Sequence, residues 1–314
     1  MKIQVVTLFP DVLRQSLSYG VIGQALKEEK WALETINPRE FTNDNHHTVD
    51  DRVFGGSDGM LMLAEPLALA VEKLKESATV SATAVSEKSV QSLPSPRVVH
   101  LSPRGRKFTD SVAREWAREW LTDQRSLLLV ATRYAGADAR FIESFCDDEI
   151  SIGDFVVSGG DGPAALVIDA VLRHLPGILG NEKSAMNDSF SDLIFESAQY
   201  TRPRQWRNVD VPNILLGGDP ALISDWQFLE ALHKTIVRRP DIVREAQEDF
   251  RKKLEARLLE ISQRVERETR MRVGRSDQNA RSLALIDLQT QLNVTKEAWE
   301  NLKSSGFGIV RGKA

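Results

Sequence analysis

The chain opens on Ile3 to Phe9 (IQVVTLF), a compact β-rich run, and continues from Val12 to Glu28 with apolar residues at helical spacing. Ala32 to Ile36 predicts a second strand. Pro66 starts a helix through Leu67 to Leu74, Val98 to Leu101 is a short strand, and Thr109 to Leu121 is a helix. Ser126 to Ala131 (SLLLVA) then forms a strand with no polar face. Strands that alternate with helices, some of them apolar on both faces, belong in a mostly parallel sheet covered on both sides. The fold class expected for the first part of the chain is therefore α/β.

From Glu76 to Pro96 the chain is rich in Ser, Ala, Thr and Val and lacks the aromatics and periodicity needed to pack, so residues 76–96 are expected to be a mobile surface insertion. Residues 177–200 again lack pattern and are expected to link the α/β part to a helical remainder. Asp219 and Pro220 have the N-cap and N1 arrangement, and Ile223, Trp226, Leu229, Leu232 and Ile236 follow at helical intervals until Pro240. Phe250, Leu254, Leu258, Ile261 and Val265 predict a second amphipathic helix. These divisions give domains of 1–176 and 201–266, with 267–314 as a charged, weakly periodic tail that is either helical or disordered.

A chain of 314 residues, 41% hydrophobic and 27% charged, is long enough for two domains. No apolar run approaches the length that spans a bilayer. Met1 to Pro10 lacks a basic n-region and is followed at once by Asp11, so it reads as a first strand rather than a leader, and the expected location is cytoplasmic. Cys146 is the single cysteine, which excludes an intrachain disulfide framework and a multi-Cys zinc site. A net charge of -4 argues against coating nucleic acid through global charge and leaves local basic patches to decide.

Glycines and polar residues cluster in Arg52–Met60 (RVFGGSDGM), Leu101–Lys107 (LSPRGRK), Arg133–Asp138 (RYAGAD) and Ser151–Gly160 (SIGDFVVSGG). The second and third follow short apolar runs, and loops at the carboxyl ends of strands are where open α/β folds bind ligands. Tight turns alone would explain any one cluster. Neither G-x-G-x-x-G after the first strand nor G-x-x-x-x-G-K-[ST] occurs, which disfavours an ordinary dinucleotide-binding domain and a P-loop. His46, His47, Asp50 and Asp51 read as solvated loop residues and not as a metal site. Asp161, Gly162 and Pro163 are expected to cap a helix through Leu175, on which Asp169 and Arg173 stand at i,i+4, the spacing of an intrahelical ion pair. Asp188 lies in the unpatterned linker, where it could equally cap a helix. Arg104, Arg106 and Lys107 bunch in one loop, Arg202, Arg204 and Arg207 surround Trp206, and Lys234, Arg238 and Arg239 make a third cluster. Basic groups around an aromatic suit a phosphate backbone with an exposed base, and Trp206 fits a core position equally well.

In order along the chain, LFP, VDDRVFGGSDGMLM, LSPRGRKF, RYAGAD, SIGDFVVSGGDGPA, LPGILGNEKSAMNDSF, YTRPRQW, VPNILLGGDP and VRRPDIV closely resemble the bacterial tRNA (guanine-37 N1)-methyltransferases of the knotted (SPOUT) class. The resemblance implies a trefoil-knotted α/β domain, a linker, a helical tRNA-binding domain and a homodimer. It implies S-adenosylmethionine as cofactor, magnesium dependence, and a tRNA with guanine at position 37 as substrate. The cofactor loops it implies are Leu101, Ser102, Pro103 and Gly105; Thr132, Tyr134 and Gly136; and Ser151, Ile152, Gly153, Asp154, Phe155, Val156 and Val157, running on to Gly159 and Pro163. Guanine N1 carries a proton that a base must remove, and Asp188 matches the family's base. Charge then moves to O6, where Arg173 matches the stabilising guanidinium.

The chain departs from the family pattern in its pocket. GRYEG is Thr132-Arg-Tyr-Ala-Gly136, which replaces a glycine by Thr132 and a glutamate by Ala135; Ser57 replaces a glycine and Phe155 a tyrosine. Losing a carboxylate at Ala135 puts the magnesium requirement in question. A rival expectation is a tRNA-binding protein of the same fold whose methyl transfer is weak or lost through Thr132 and Ala135.

Overall fold

The computed structural model describes residues 1–56, 58–83, 94–180, 188–190, 193–270 and 280–305. The chain forms two compact units, Met1–Ala185 and Met186–Ala314.

The first unit is α/β. Its strands β1 (Lys2–Thr7), β2 (Ala32–Ile36), β5 (Arg97–Lys107), β6 (Leu127–Ala131) and β7 (Asp148–Ser151) form a five-stranded sheet in the order β2-β1-β6-β5-β7, and every pairing in it is parallel. All five residues of β6 are buried, because its side chains alternate between two cores. Leu127 and Leu129 point into one with Leu13 of α1 (Pro10–Ser16), Ile22 of α2 (Gly20–Lys27), Trp116 of α4 (Asp110–Asp123) and Val167 of α6 (Asp161–Leu172). Leu128 and Val130 point into the other with Leu67 and Val71 of α3 (Ala64–Thr83) and Phe141 of α5 (Ala139–Phe145). Each such side chain contributes about 1.5–3 kcal/mol through burial, which is why a strand with no polar face is stable only in the middle of the sheet.

Several elements differ from expectation for local reasons. Val12 to Glu28 is two helices, α1 and α2, and Gly20, the first residue of α2, takes a left-handed φ of 64°. β5 runs on from Leu101 to Lys107, because both Leu101 and Arg106 pair with Ile150 and the residues between them loop out. α3 continues to Thr83, so the expected insertion at 76–96 begins as helix; residues 84–93 lie outside the described residues. Two short strands, β3 (Asp50–Arg52) and β4 (Met60–Met62), form an antiparallel pair around the first glycine cluster. Asp161 does not cap α6. Gly160 is the N-cap residue and makes no side-chain cap, while the Asp161 carboxylate accepts a hydrogen bond from the Thr7 hydroxyl. No helix among the described residues is long and apolar enough to cross a membrane.

The second unit is mainly helical: α7 (Pro220–Arg238), α8 (Pro240–Glu245), α9 (Glu248–Arg270) and α10 (Ala280–Ser304), with a small antiparallel pair β8 (Gln205–Trp206) and β9 (Val209–Asp210). Asp219 caps α7 by accepting from the N–H groups of Ala221 and Leu222 at 3.1 and 3.3 Å, with Pro220 at the first helical position. Trp226, Leu229, Leu232 and Ile236 of α7 meet Leu254, Leu258, Ile261 and Val265 of α9 in one core. The stretch 267–314, expected to be a charged tail, instead supplies a third side of that core: Leu285, Leu288, Leu292, Trp299 and Leu302 of α10 are all buried in it. Part of the expected linker 177–200 is also tied down, since Phe195 N–H donates to Thr235 Oγ1 at 2.8 Å and Ala198 N–H donates to Glu230 at 2.7 Å.

Candidate functional site

The carboxyl ends of β5, β6 and β7 lie side by side, and the loops that leave them enclose a cavity of about 280 Å³. Each wall has a backbone reason for its shape. At β5, residues Ser102 to Gly105 bulge outward between the two residues that share Ile150, and the return requires glycine: a Cβ on Gly105 would stand 2.3 Å from the Ile150 nitrogen. After β6, Tyr134 and Gly136 take φ of 58° and 107°, which turns Thr132–Gly136 tightly. That turn is held by β4, where Ala135 N–H donates to Met60 C=O and Met62 N–H to Gly136 C=O, each at 2.9 Å. The first glycine cluster thus buttresses the cavity from outside and does not line it.

After β7, Gly153 at φ 155° packs against the Phe155 ring, and the chain then folds back over the β6 loop. Arg133 and Gly159 form an antiparallel bridge, and Gly160 N–H donates to Thr132 C=O at 2.8 Å. The approach is close enough that a Cβ on Gly159 would meet Arg133 Cδ at 2.3 Å. Arg133 lies over the Phe9 ring at 5.1 Å and reaches Asp161 at 3.9 Å, which fixes this crossing to β1.

All the residues expected to hold the cofactor line this cavity except Gly105, Gly153 and Asp154. Gly105 and Gly153 shape its walls instead. Two residues outside the expected loops, His100 and Ile150, also line it. His100 is the most informative. Its side chain is 1% exposed, with Nδ1 3.2 Å from Glu149 Oε1 and Nε2 3.1 Å from Thr132 Oγ1. Burial holds its pKa below the ordinary histidine value, and the Glu149 carboxylate opposes that shift. The signal in the sequence was a polar residue inside the apolar run Val98-Val99-His100-Leu101.

The two residues expected to do the chemistry are not on the cavity wall. Arg173 is exposed at the C-terminal end of α6, ten residues beyond Pro163 and so about 15 Å along the helix from it. The backbone joins it to Asp169 through an N–H···O=C bond of 3.1 Å; among the described residues the two side chains form no ion pair. Asp188 belongs to the second unit, just before a turn whose Phe190 N–H donates to Ile194 C=O.

Of the basic clusters, the one around Trp206 is the clearest surface. Trp206 is 61% exposed on the β8–β9 hairpin, which removes it from the core, and Arg207 covers its ring at 4.7 Å. Arg202 and Arg204 beside it and Arg238 on α7 are exposed as well. Lys234 and Arg239 are engaged by Glu230 and Asp241, and Arg106 by Asp148. Among the described residues no three His, Cys, Asp or Glu side chains gather as a metal site.

Glycine-shaped loops at three adjacent parallel strand ends, enclosing a cavity lined by apolar groups together with His100, Arg104, Thr132 and Arg133, define an α/β protein with a cavity of small-ligand size at its carboxyl edge. The chain belongs to the tRNA (Guanine-1)-methyltransferase TrmD family, whose model matches residues 1–245. Among curated proteins it is similar to the tRNA (guanine-N(1)-)-methyltransferase of Cupriavidus necator, 42% identical over 246 residues, or 78% of this chain and 89% of that one. The enzyme of the same name from Shewanella sediminis is 43% identical over 77% of this chain and 93% of its own. That from Methylococcus capsulatus is 43% identical over 77% and 89%.

Proposed function

We propose that this chain is an enzyme that transfers a methyl group from S-adenosylmethionine to N1 of guanine 37 in the anticodon loop of a tRNA. The observation that carries this is the cavity: its loops lie within the family match, and the expected cofactor residues converge on it. The fit to a nucleoside cofactor is physical. Apolar Leu101, Ile150, Ile152 and Pro163 can cover a purine, while the close backbone crossing at Gly159 and Gly160 leaves peptide groups rather than side chains along the wall. When bound, S-adenosylmethionine supplies an electrophilic sulfonium methyl.

The rest of the chemistry falls to the protein. Asp188 takes the N1 proton as the methyl is transferred, so that the attacking nitrogen has a free lone pair. Arg173 balances the charge that then develops on O6. The exposed Trp206 ring with Arg202, Arg204 and Arg207, and Arg238 on α7, offers phosphate contacts and a stacking face to the RNA. The guanine leaves its stack to reach the cavity.

The folding back of Val157–Gly160 over the β6 loop supports a knotted path, as the family implies. A homodimer is supported by two features. Phe9, Val12, Phe155 and Leu166 line a single broad groove beside the cavity, each 44% exposed or more. The distance of Arg173 from the cavity of its own chain suits a site completed by a second copy. Magnesium is carried by the resemblance alone, and Ala135 lacks the family's carboxylate.

The test is methyl transfer from labelled S-adenosylmethionine to unmodified tRNA with guanines at positions 36 and 37, beside a control changed at 37, with magnesium varied. Transfer that requires guanine 37 is expected. No transfer with tRNA binding retained would replace this function by that of a tRNA-binding protein.

A further inference from the structure

We propose that Thr132 and His100 act as one unit that presents a fixed hydrogen-bond acceptor to the cavity, selecting cofactors that carry a hydroxyl or amino donor at that point and making their binding depend on pH. This rests on the methyltransferase function of the same cavity and adds a residue pair to it.

Both side chains line the cavity, and both are buried. Their roles follow from the order of the contacts. Glu149 Oε1 accepts from His100 Nδ1 at 3.2 Å, which places the imidazole proton on Nδ1. Nε2 then carries a lone pair and accepts from the Thr132 hydroxyl at 3.1 Å. With its hydrogen committed to His100, Thr132 Oγ1 has only lone pairs left for the cavity. A hydroxyl alone rotates to suit either a donor or an acceptor; here the histidine removes that freedom. The Thr132 amide is held in turn, since its carbonyl accepts from Gly160 N–H at 2.8 Å.

The charged groups that face His100 are Glu149 from β7 and Arg104 from the bulge of β5, which lies 3.8 Å from the same Glu149 oxygen. Glu149 favours the imidazolium, while burial and Arg104 disfavour it, and burial dominates. The neutral ring is thus the resting form at neutral pH. As pH falls through the lowered pKa, Nε2 gains a proton and donates to Thr132. The hydroxyl hydrogen then turns toward the cavity and opposes the donor of the ligand. Binding is fully present above that lowered pKa and is lost as pH falls through it.

The experiment measures S-adenosylhomocysteine binding by calorimetry from about pH 8 down to well below the ordinary histidine value of about 6.5, for the full chain and for Thr132→Val, Thr132→Ser and His100→Gln. Thr132→Val keeps the shape and is expected to weaken binding at pH 7.5 about tenfold, the value of one hydrogen bond, and to flatten the pH profile. Thr132→Ser restores both affinity and profile. His100→Gln keeps an acceptor for Thr132, retains binding and loses the acid sensitivity. Wild-type affinity and pH profile in Thr132→Val would overturn the proposal and leave the cofactor site standing. Failure of the wild type to bind at any pH would remove the cofactor site, and this proposal with it.

Discussion

The crossing of the chain over the β6 loop depends on Gly160, and the dependence can be measured. Gly160 has φ -77° and ψ -7°, a conformation open to any residue, so its backbone gives no reason for glycine. The reason is contact: a Cβ there would stand 2.7 Å from Ala131 Cα and 3.0 Å from Thr132 N. Both are backbone atoms of the sheet and cannot swing aside. Gly160→Ala therefore forces the start of α6 outward, at about 1–3 kcal/mol for overpacking. It also strains the 2.8 Å bond from Gly160 to Thr132, at about 0.5–1.5 kcal/mol. The two together come to about 1.5–4.5 kcal/mol, or roughly 3–18 °C in melting temperature for a unit of this size. Gly162, two residues on in the same helix, is the control. A Cβ there has nothing within 4 Å, and alanine should stabilise by up to about 0.5 kcal/mol through chain entropy. Calorimetric melts of the two variants should move in opposite directions. A Gly160→Ala melt within about 1 °C of the parent would refute the close contact, and an equal loss in both variants would point to backbone freedom instead.

Leu288 of α10 is 0% exposed in the core of the second unit, so Leu288→Ala should cost about 2–5 kcal/mol; an unchanged urea midpoint would show that α10 is dispensable to that core. The Cys146 thiol is pushed up to about 12 by burial and then by Asp147 and Glu149, so iodoacetamide at neutral to mildly alkaline pH should leave it unmodified in the native protein and react after unfolding. Asp188→Ala should abolish methyl transfer while S-adenosylhomocysteine still binds; full activity would remove Asp188 as the base. Arg173→Ala should lower kcat by about 10²–10³-fold per folded molecule, and lost stability with full kcat per folded molecule would give Arg173 a purely structural role.

The parts of the molecule legible in the sequence are those where one local rule dominates. An apolar strand such as Leu127–Ala131 can only be central, and Asp219-Pro220 can only begin a helix of the kind observed. What escaped needs information from elsewhere in the chain. β3 and β4 are three residues each and exist because β4 also pairs with the Thr132–Gly136 turn, a partner more than seventy residues away. α10 hides its pattern because its apolar positions are diluted by polar ones, and burial by α7 and α9 decides what propensity leaves open. Asp161 sits where a cap belongs, yet Thr7 of the first strand claims its carboxylate.

The candidate site shows the same division at higher stakes. Motif strings locate the cavity because Gly105 and Gly160 leave room for neighbouring backbone and Gly136 takes a left-handed φ. Single side chains that tune the cavity leave no string. His100 is one polar residue in a hydrophobic strand, and Thr132 read alone is a departure from the pattern that the family resemblance implies. Placed 3.1 Å apart with Glu149 behind them, they become a substitution and its partner, and Thr132 turns from a reason to doubt cofactor binding into a contact that the cofactor can use. The cofactor affinity of this chain should therefore be tested on the pair, because neither side chain alone fixes the direction of the hydrogen bond offered to the cavity.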